Sequence, residues 1–178
     1  SSHKIKMQSS NFKPIQKRNI IINKSKTNAH SFTDFLTPEG TQTLILDNNF
    51  ISDFVGLEQT DNLKTLSLRD NPILSFFGFP STPELESLDL SNTPISFLKN
   101  FRALCLIVAG SQLKMINGVE VNRNDRNSAN SYGPSKVVLP LIIHGWIPVR
   151  PVAINDSKES RELIEMIKIQ EKDPISLK

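Results

Sequence analysis

Thr41-Gln-Thr-Leu44-Ile-Leu46-Asp-Asn-Asn49-Phe-Ile51 is followed 22 residues later by Leu63-Lys-Thr-Leu66-Ser-Leu68-Arg-Asp-Asn71-Pro-Ile73. After another 22 comes Leu85-Glu-Ser-Leu88-Asp-Leu90-Ser-Asn-Thr93-Pro-Ile95. The three share one frame, L-x-x-L-x-L-x-x-N-x-I. A short fixed period of this kind signals stacked units, none of which can bury its apolar face alone.

Each position in the frame has a physical task. L-x-L alternates with period two, so Leu44/Leu46, Leu66/Leu68 and Leu88/Leu90 are expected to point inward from short strands, with the residues between them outward. The strands should pair in parallel from coil to coil as a curved sheet. Asn49 and Asn71 turn the chain off the strand, and their amides can satisfy backbone groups stranded at the turn. Thr93 takes that place in the third copy. Ile51, Ile73 and Ile95 fill the core beneath. The return segments bring Phe54/Leu57, Phe76/Phe77/Phe79 and Phe97/Leu98/Phe101, expected inward and accounting for most of the ten phenylalanines.

An altered fourth copy, Leu113-Lys-Met-Ile116-Asn-Gly118-Val119-Glu-Val121, follows Leu85 by a longer step, the extra length falling in the apolar run Phe101 to Gly110. With Asp125-Arg126 behind it, this copy resembles the end of intracellular leucine-rich-repeat proteins, a family that includes phosphatase-1 regulators, the spliceosomal A-prime protein and axonemal dynein light chains. Their common ending is L-x-x-L-D-G-x-x-V followed by an acidic-Arg helix; Asn117 stands where Asp is usual. The resemblance spans residues 41 to about 132. It implies an α/β fold: a leucine-rich-repeat solenoid with a curved parallel sheet, a helical C-terminal cap and extended terminal tails.

Charge divides the chain. Residues 1–26 carry Lys4, Lys6, Lys13, Lys17, Arg18, Lys24 and Lys26 and no acid, a net +7, whereas the other 14 basic and 18 acidic residues give −4. A basic arm on a slightly acidic body suits an anionic partner such as an acidic protein surface, nucleic acid or anionic lipid, or else a solvated tail. Within the arm Asn19-Ile20-Ile21-Ile22 has strand character. Setting Ile20/Ile22 against Leu44/Leu46 makes it a degenerate first coil with a 24-residue offset. Ser31-Phe32-Thr-Asp34-Phe35-Leu36 is expected as a short helix with Phe32, Phe35 and Leu36 inward. With no apolar run long enough to cross a bilayer, no membrane span is expected. The lone Cys105 permits no internal disulfide, which favours a reducing compartment; the family resemblance implies the cytoplasm, with cytoskeleton or cilium, and the nucleus as alternative.

Three sections are thus expected: a basic arm (1–26), a repeat domain with caps (27–132) and a C-terminal extension (133–178). Leading into the last, Asn122 caps a polar helix to Tyr132, and a second helix runs from Ser135 to His144 with a kink at Pro140. Trp146 to Val152, with prolines at 148 and 151, reads as an extended strap. Asp156-x-x-Glu159 opens a final helix to about Glu171 with Leu163, Ile164 and Ile167 on one stripe, packed either on the domain or on a partner.

Catalytic constellations are not apparent. His3, His30 and His144 are scattered without metal-ligand spacing, the seven glycines form no phosphate loop, and Cys105 sits in an apolar run as a core residue. No cofactor is expected. The outward strand positions make rows across the coils: Thr43/Thr65/Ser87, Ile45/Ser67/Asp89 and Asp47/Arg69/Ser91. Short polar residues there allow close approach of a protein partner, with Arg69 beside Asp47 and Asp89 as a directional charge. The expected function is a non-catalytic protein–protein interaction scaffold in a multi-subunit intracellular assembly. The family resemblance and the basic arm favour a cytoskeletal or axonemal setting with acidic tubulin as a partner. Alternatives are a ribonucleoprotein component binding RNA through the arm, and a phosphatase regulatory subunit.

Overall fold

The structure, a computed structural model, describes residues 19–133 and 135–148, together with Glu165. Six strands form one sheet in chain order: β1 (Ile20–Asn23), β2 (Thr41–Ile45), β3 (Thr65–Ser67), β4 (Ser87–Asp89), β5 (Met115–Ile116) and β6 (Val119–Glu120). Neighbours are parallel except β5 and β6, so the chain is an α/β solenoid whose sheet is mostly parallel.

The frame sets the register. Leu44 pairs with Leu66, and Leu66 with Leu88, in steps equal to the sequence period, and Leu88 then pairs with Ile116. All four side chains are fully buried, as are Leu46, Leu68 and Leu90, while Thr65 and Ser67 on either side of Leu66 are half-exposed. The first coil joins differently from the offset expected of Ile20 and Ile22. Ile22 pairs with Leu44, after an irregularity between Ile20 and Ile21, so the step matches that of the later coils. Lys24 therefore stands where later coils have Leu46, Leu68 and Leu90, with its side chain exposed.

The turn after each strand divides its task between two residues. Asn48, Asp70 and Asn92 take the left-handed conformation at φ 57°, 56° and 59°, which short polar side chains tolerate better than most. The next residue supplies the hydrogen bonds. Asn71, almost fully buried, donates to the carbonyls of Leu46 and Leu68 at 3.0 Å and accepts from the Ile51 amide at 3.0 Å, tying two coils together. Asn49 reaches back in the same way to the Lys24 carbonyl and to the amides of Thr27 and Ala29. Thr93 has one short hydroxyl, which it donates to Leu90 of its own coil.

Behind the sheet runs a phenylalanine spine at the same period. Phe32 stacks on Phe54, and Phe54 on Phe76 at 5.9 Å, with Phe79 edge-on to both Phe54 and Phe76. Offset and edge contacts of this kind add to the area that the rings bury. Three expected core residues lie outside it: Phe97 is 79% exposed, Leu36 91% and Phe77 40%. The inward side of each return is taken by the residue in step with Phe54, which leaves those three on the outside.

The longer last step makes room for α1 (Phe101–Ala109), with seven of its nine side chains buried. Gly110 ends it at φ 97°. The antiparallel β5–β6 hairpin then turns through Asn117-Gly118, both at positive φ, the geometry that two-residue hairpins favour. Asn117 also accepts from the Leu90 amide at 2.7 Å, closing the last coil. Helix α2 (Arg123–Ser131) starts at Asn122, whose side chain and that of Asp125 form a reciprocal capping box. Helix α3 (Ser135–Ile143) buries Val138, Leu141 and Ile142 and contains Pro140; Gly145 follows it. The Ile143 carbonyl accepts from Gly78, which fastens α3 to the convex returns. Of the expected strap only Trp146 to Pro148 is described. Of the expected final helix only Glu165 is described, and it is helical.

Candidate functional site: the concave sheet face

The outward rows are built by strand register. Thr43, Thr65 and Ser87 align across β2, β3 and β4, and Met115 of β5 continues the row. Ile45, Ser67 and Asp89 form the next row, which Asn23 of β1 extends in the other direction. All six central side chains are half-buried, so the backbone lies close beneath a surface of short groups.

The third row, Asp47, Arg69 and Ser91, follows the strand ends and is internally bonded. Asp47 accepts from the Ser67 hydroxyl at 2.6 Å and from the Arg69 backbone amide at 3.0 Å. Asp89 accepts from both the amide and the hydroxyl of Ser91. The expected arrangement of Arg69 between two acids is met on one side only. Its guanidinium lies 3.9 Å from Asp89, whereas Asp47 holds the main chain of Arg69. The two carboxylates are occupied in ordering the turn, and the Arg69 side chain, 49% exposed, is loosely held. Its charge is the one in this row that is most available to a partner.

A further row is one that the sequence reading does not single out. Gln42, Lys64, Glu86 and Lys114 precede the row of Thr43, and the amides of Lys64, Glu86 and Lys114 each donate to the carbonyl of the coil before. With Thr43, Thr65, Ser87, Met115 and Asn19 they line a shallow groove of about 310 Å³. Lys114 bonds Glu86 at 2.8 Å, which, reinforced by the charge of Lys64, holds the Glu86 carboxyl below its usual range against a small opposing effect of burial. The repeat step that aligns Thr43, Thr65 and Ser87 aligns Gln42, Lys64 and Glu86 equally well. Their mixed charge pattern is the signal that could have found them.

Of the basic arm, Lys24 and Lys26 are described and exposed. Their amides donate to the Ile45 and Asp47 carbonyls, so this end of the arm is part of the first coil. Lys4, Lys6, Lys13, Lys17 and Arg18 lie outside the described residues. Cys105 is fully buried in α1, and burial pushes its thiol well above the usual range, opposite to what a nucleophile needs. Among the described residues no group of three or more His, Cys, Asp or Glu is placed to hold a metal ion, and no helix is long and apolar enough to cross a membrane. In comparison with known proteins, the chain matches no family model and no curated protein.

Proposed function

We propose that the chain is a leucine-rich-repeat scaffold without catalytic activity, which binds a protein partner through its concave face within a larger assembly. One observation carries this reading. Three strands in register present rows of Thr, Ser and Asp side chains, flanked by the mixed charges of Lys64, Glu86, Lys114 and Arg69. Such a face lets a helix or loop approach the sheet backbone, and concave faces of stacked repeats are suited to that use. The leucine frame and the Asn-Gly hairpin followed by an Asp125-Arg126 helix support the family resemblance and the capping role of residues 113–131.

The setting proposed is a cytoskeletal or axonemal assembly in the cytoplasm or cilium, with the basic arm against an acidic surface of the tubulin type. The test uses the full chain, a Thr65→Arg/Ser87→Arg variant and a form lacking residues 1–18, assayed for co-sedimentation with microtubules and for RNA binding at increasing salt. The scaffold reading expects the double variant to lose co-purifying protein while keeping its melting temperature. The cytoskeletal setting expects the arm deletion to lower the salt needed for release from microtubules. RNA binding that disappears with residues 1–18, with no microtubule association, would replace that setting by the ribonucleoprotein one. Unchanged partner recovery by the double variant would remove the concave face from the function.

A further inference from the structure

On the opposite side of the molecule, the return loop 79–83, the last turn of α1 and the α2–α3 region enclose a groove of about 700 Å³, a size typical of ligand or side-chain pockets. Its walls are mainly apolar. Phe79 and Leu106 form the base, while Ile107, Leu139 and Ile143 are only half-buried. Thr82, on the wall, is 3% exposed, and its hydroxyl has no hydrogen-bond partner among the described residues. Buried hydroxyls normally have one. That hydroxyl is sealed beneath the wall, so what the open groove lacks is apolar cover.

We propose that its occupant is the chain's own C-terminal segment, residues 156–171, with Leu163, Ile164 and Ile167 seated in the groove. Two observations favour this over a separate partner. The described chain reaches Pro148, whose carbonyl is held by the Asn100 amide at the start of α1. The groove lies at the other end of that helix, nine residues on, about 14 Å at 1.5 Å per residue. Residues 149–155 can span roughly 23 Å when extended, so the tether reaches with length to spare. The segment carries the amphipathic stripe that such a groove needs, and Glu165 within it is helical and exposed, as expected of a residue off the stripe. Tethering also raises the segment's local concentration to the millimolar range, which a free partner seldom matches.

Hydrogen exchange on the full chain tests this against a Leu163→Asp/Ile167→Asp variant. The amides of Phe79, Ser81 and Thr82 and of residues 106–112 are expected to exchange about tenfold faster or more in the variant, with β2, β3 and β4 unchanged. Equal protection in the two chains would overturn the proposal. A second measurement introduces Ser111→Cys on the exposed groove rim and Ser160→Cys in the segment; the native Cys105 is fully buried and does not compete. An intramolecular disulfide at low protein concentration supports the assignment. A disulfide found only in dimers would give the groove to the segment of a second copy, and no disulfide would leave it to another protein; either outcome overturns the tethered arrangement.

Discussion

The two ends of the solenoid close by opposite means. At the N-terminal end the first coil has Lys24 at an inner-leucine position and offers the core Ile22, Ala29 and Phe32, with Phe35 half-buried against it. Its hold is mainly polar: the β1–β2 ladder and its continuation through Lys24 and Lys26, hydrogen bonds with Asn49 of the next coil, and its own Ser31–Asp34 capping box. At the C-terminal end α1 drives seven buried side chains into the core. A charged clamp then locks the hairpin and α2 onto α1. Arg102 makes a two-pronged contact with Asp125 at 2.7 and 2.9 Å and donates to the carbonyls of Ile116 and Glu120. Polar stitching satisfies backbone groups but buries little area, whereas α1 extends the shared apolar core. The first coil should therefore open locally, and the C-terminal end should unfold only with the whole.

The largest expected effect is at the C-terminal end. Leu104→Ala removes a fully buried side chain of α1 and should cost about 2–5 kcal/mol through loss of contact and a residual cavity. Thermal unfolding should remain one transition at a lower temperature. A variant in which the hairpin and α2 melt separately from β2–β4 would break the comparison.

Next come paired asparagine variants. Asn49→Ala and Asn71→Ala remove the same amide at successive turns, each leaving buried backbone groups unpaired at about 1–3 kcal/mol per group. Asn71→Ala should lower the whole transition. Asn49→Ala should chiefly speed hydrogen exchange in residues 20–32, with β3 and β4 retaining their protection. Equal loss of global stability in the two variants would make the first coil part of the same cooperative unit.

How much of this is legible in the sequence follows from where the repeat holds. Period alone places Leu44, Leu66 and Leu88, because a parallel sheet admits one register once its inner face is apolar. The first coil lacks leucine, and Ile20, Ile21 and Ile22 are interchangeable as apolar letters, so the pattern misplaces its offset; the bonds of Asn49 select Ile22. Phe77 and Phe97 read as core residues because return segments have no alternation to mark a side. The outward rows are legible, since exposure in a strand is the complement of burial. The internal commitment of Asp47 to Ser67 and Arg69 is not, because it depends on side-chain direction across coils. Nor does the sequence reveal the convex groove, whose walls come from segments as far apart in the chain as Phe79–Pro83 and Leu139–Ile143.

Acid should weaken both ends, by smaller amounts. The Asp125 carboxyl is held below its usual range, first by the Arg102 hydrogen bond and also by the Asn122 amide and the charges of Arg102 and Arg126, against the opposing effect of burial. Asp34 is lowered by the amides of His30 and Ser31. A carboxyl whose folded value is depressed contributes stability that is fully present above its unfolded value near 3.8 and is lost as pH falls through the lower folded value. Asp125→Asn should cost about 1–2 kcal/mol at pH 7 and flatten the acid limb of the stability curve. A limb as steep as that of the unaltered protein would assign the acid sensitivity to other carboxyls.

The smallest effect on stability is expected between the ends, on the concave face. Arg69 touches Asp89 at 3.9 Å with half its side chain in solvent, and exposed pairs of this kind contribute about 0–1 kcal/mol. Arg69→Glu should leave the melting temperature nearly unchanged. Asp47 keeps its bonds to the Ser67 hydroxyl and to the backbone amide of residue 69, neither of which needs the guanidinium. Partner association should respond differently, because the variant replaces the most available cation of the third row by an anion facing Asp89. A weakening of about tenfold, or about 1.4 kcal/mol, measured as partner binding by the purified chain, would place function in the middle of the solenoid and fold maintenance at its flanks. If Arg69→Glu instead lowered stability as much as Asn49→Ala, the concave face would be a structural element like the ends. Partner recognition would then have to be sought in the row of Lys64, Glu86 and Lys114.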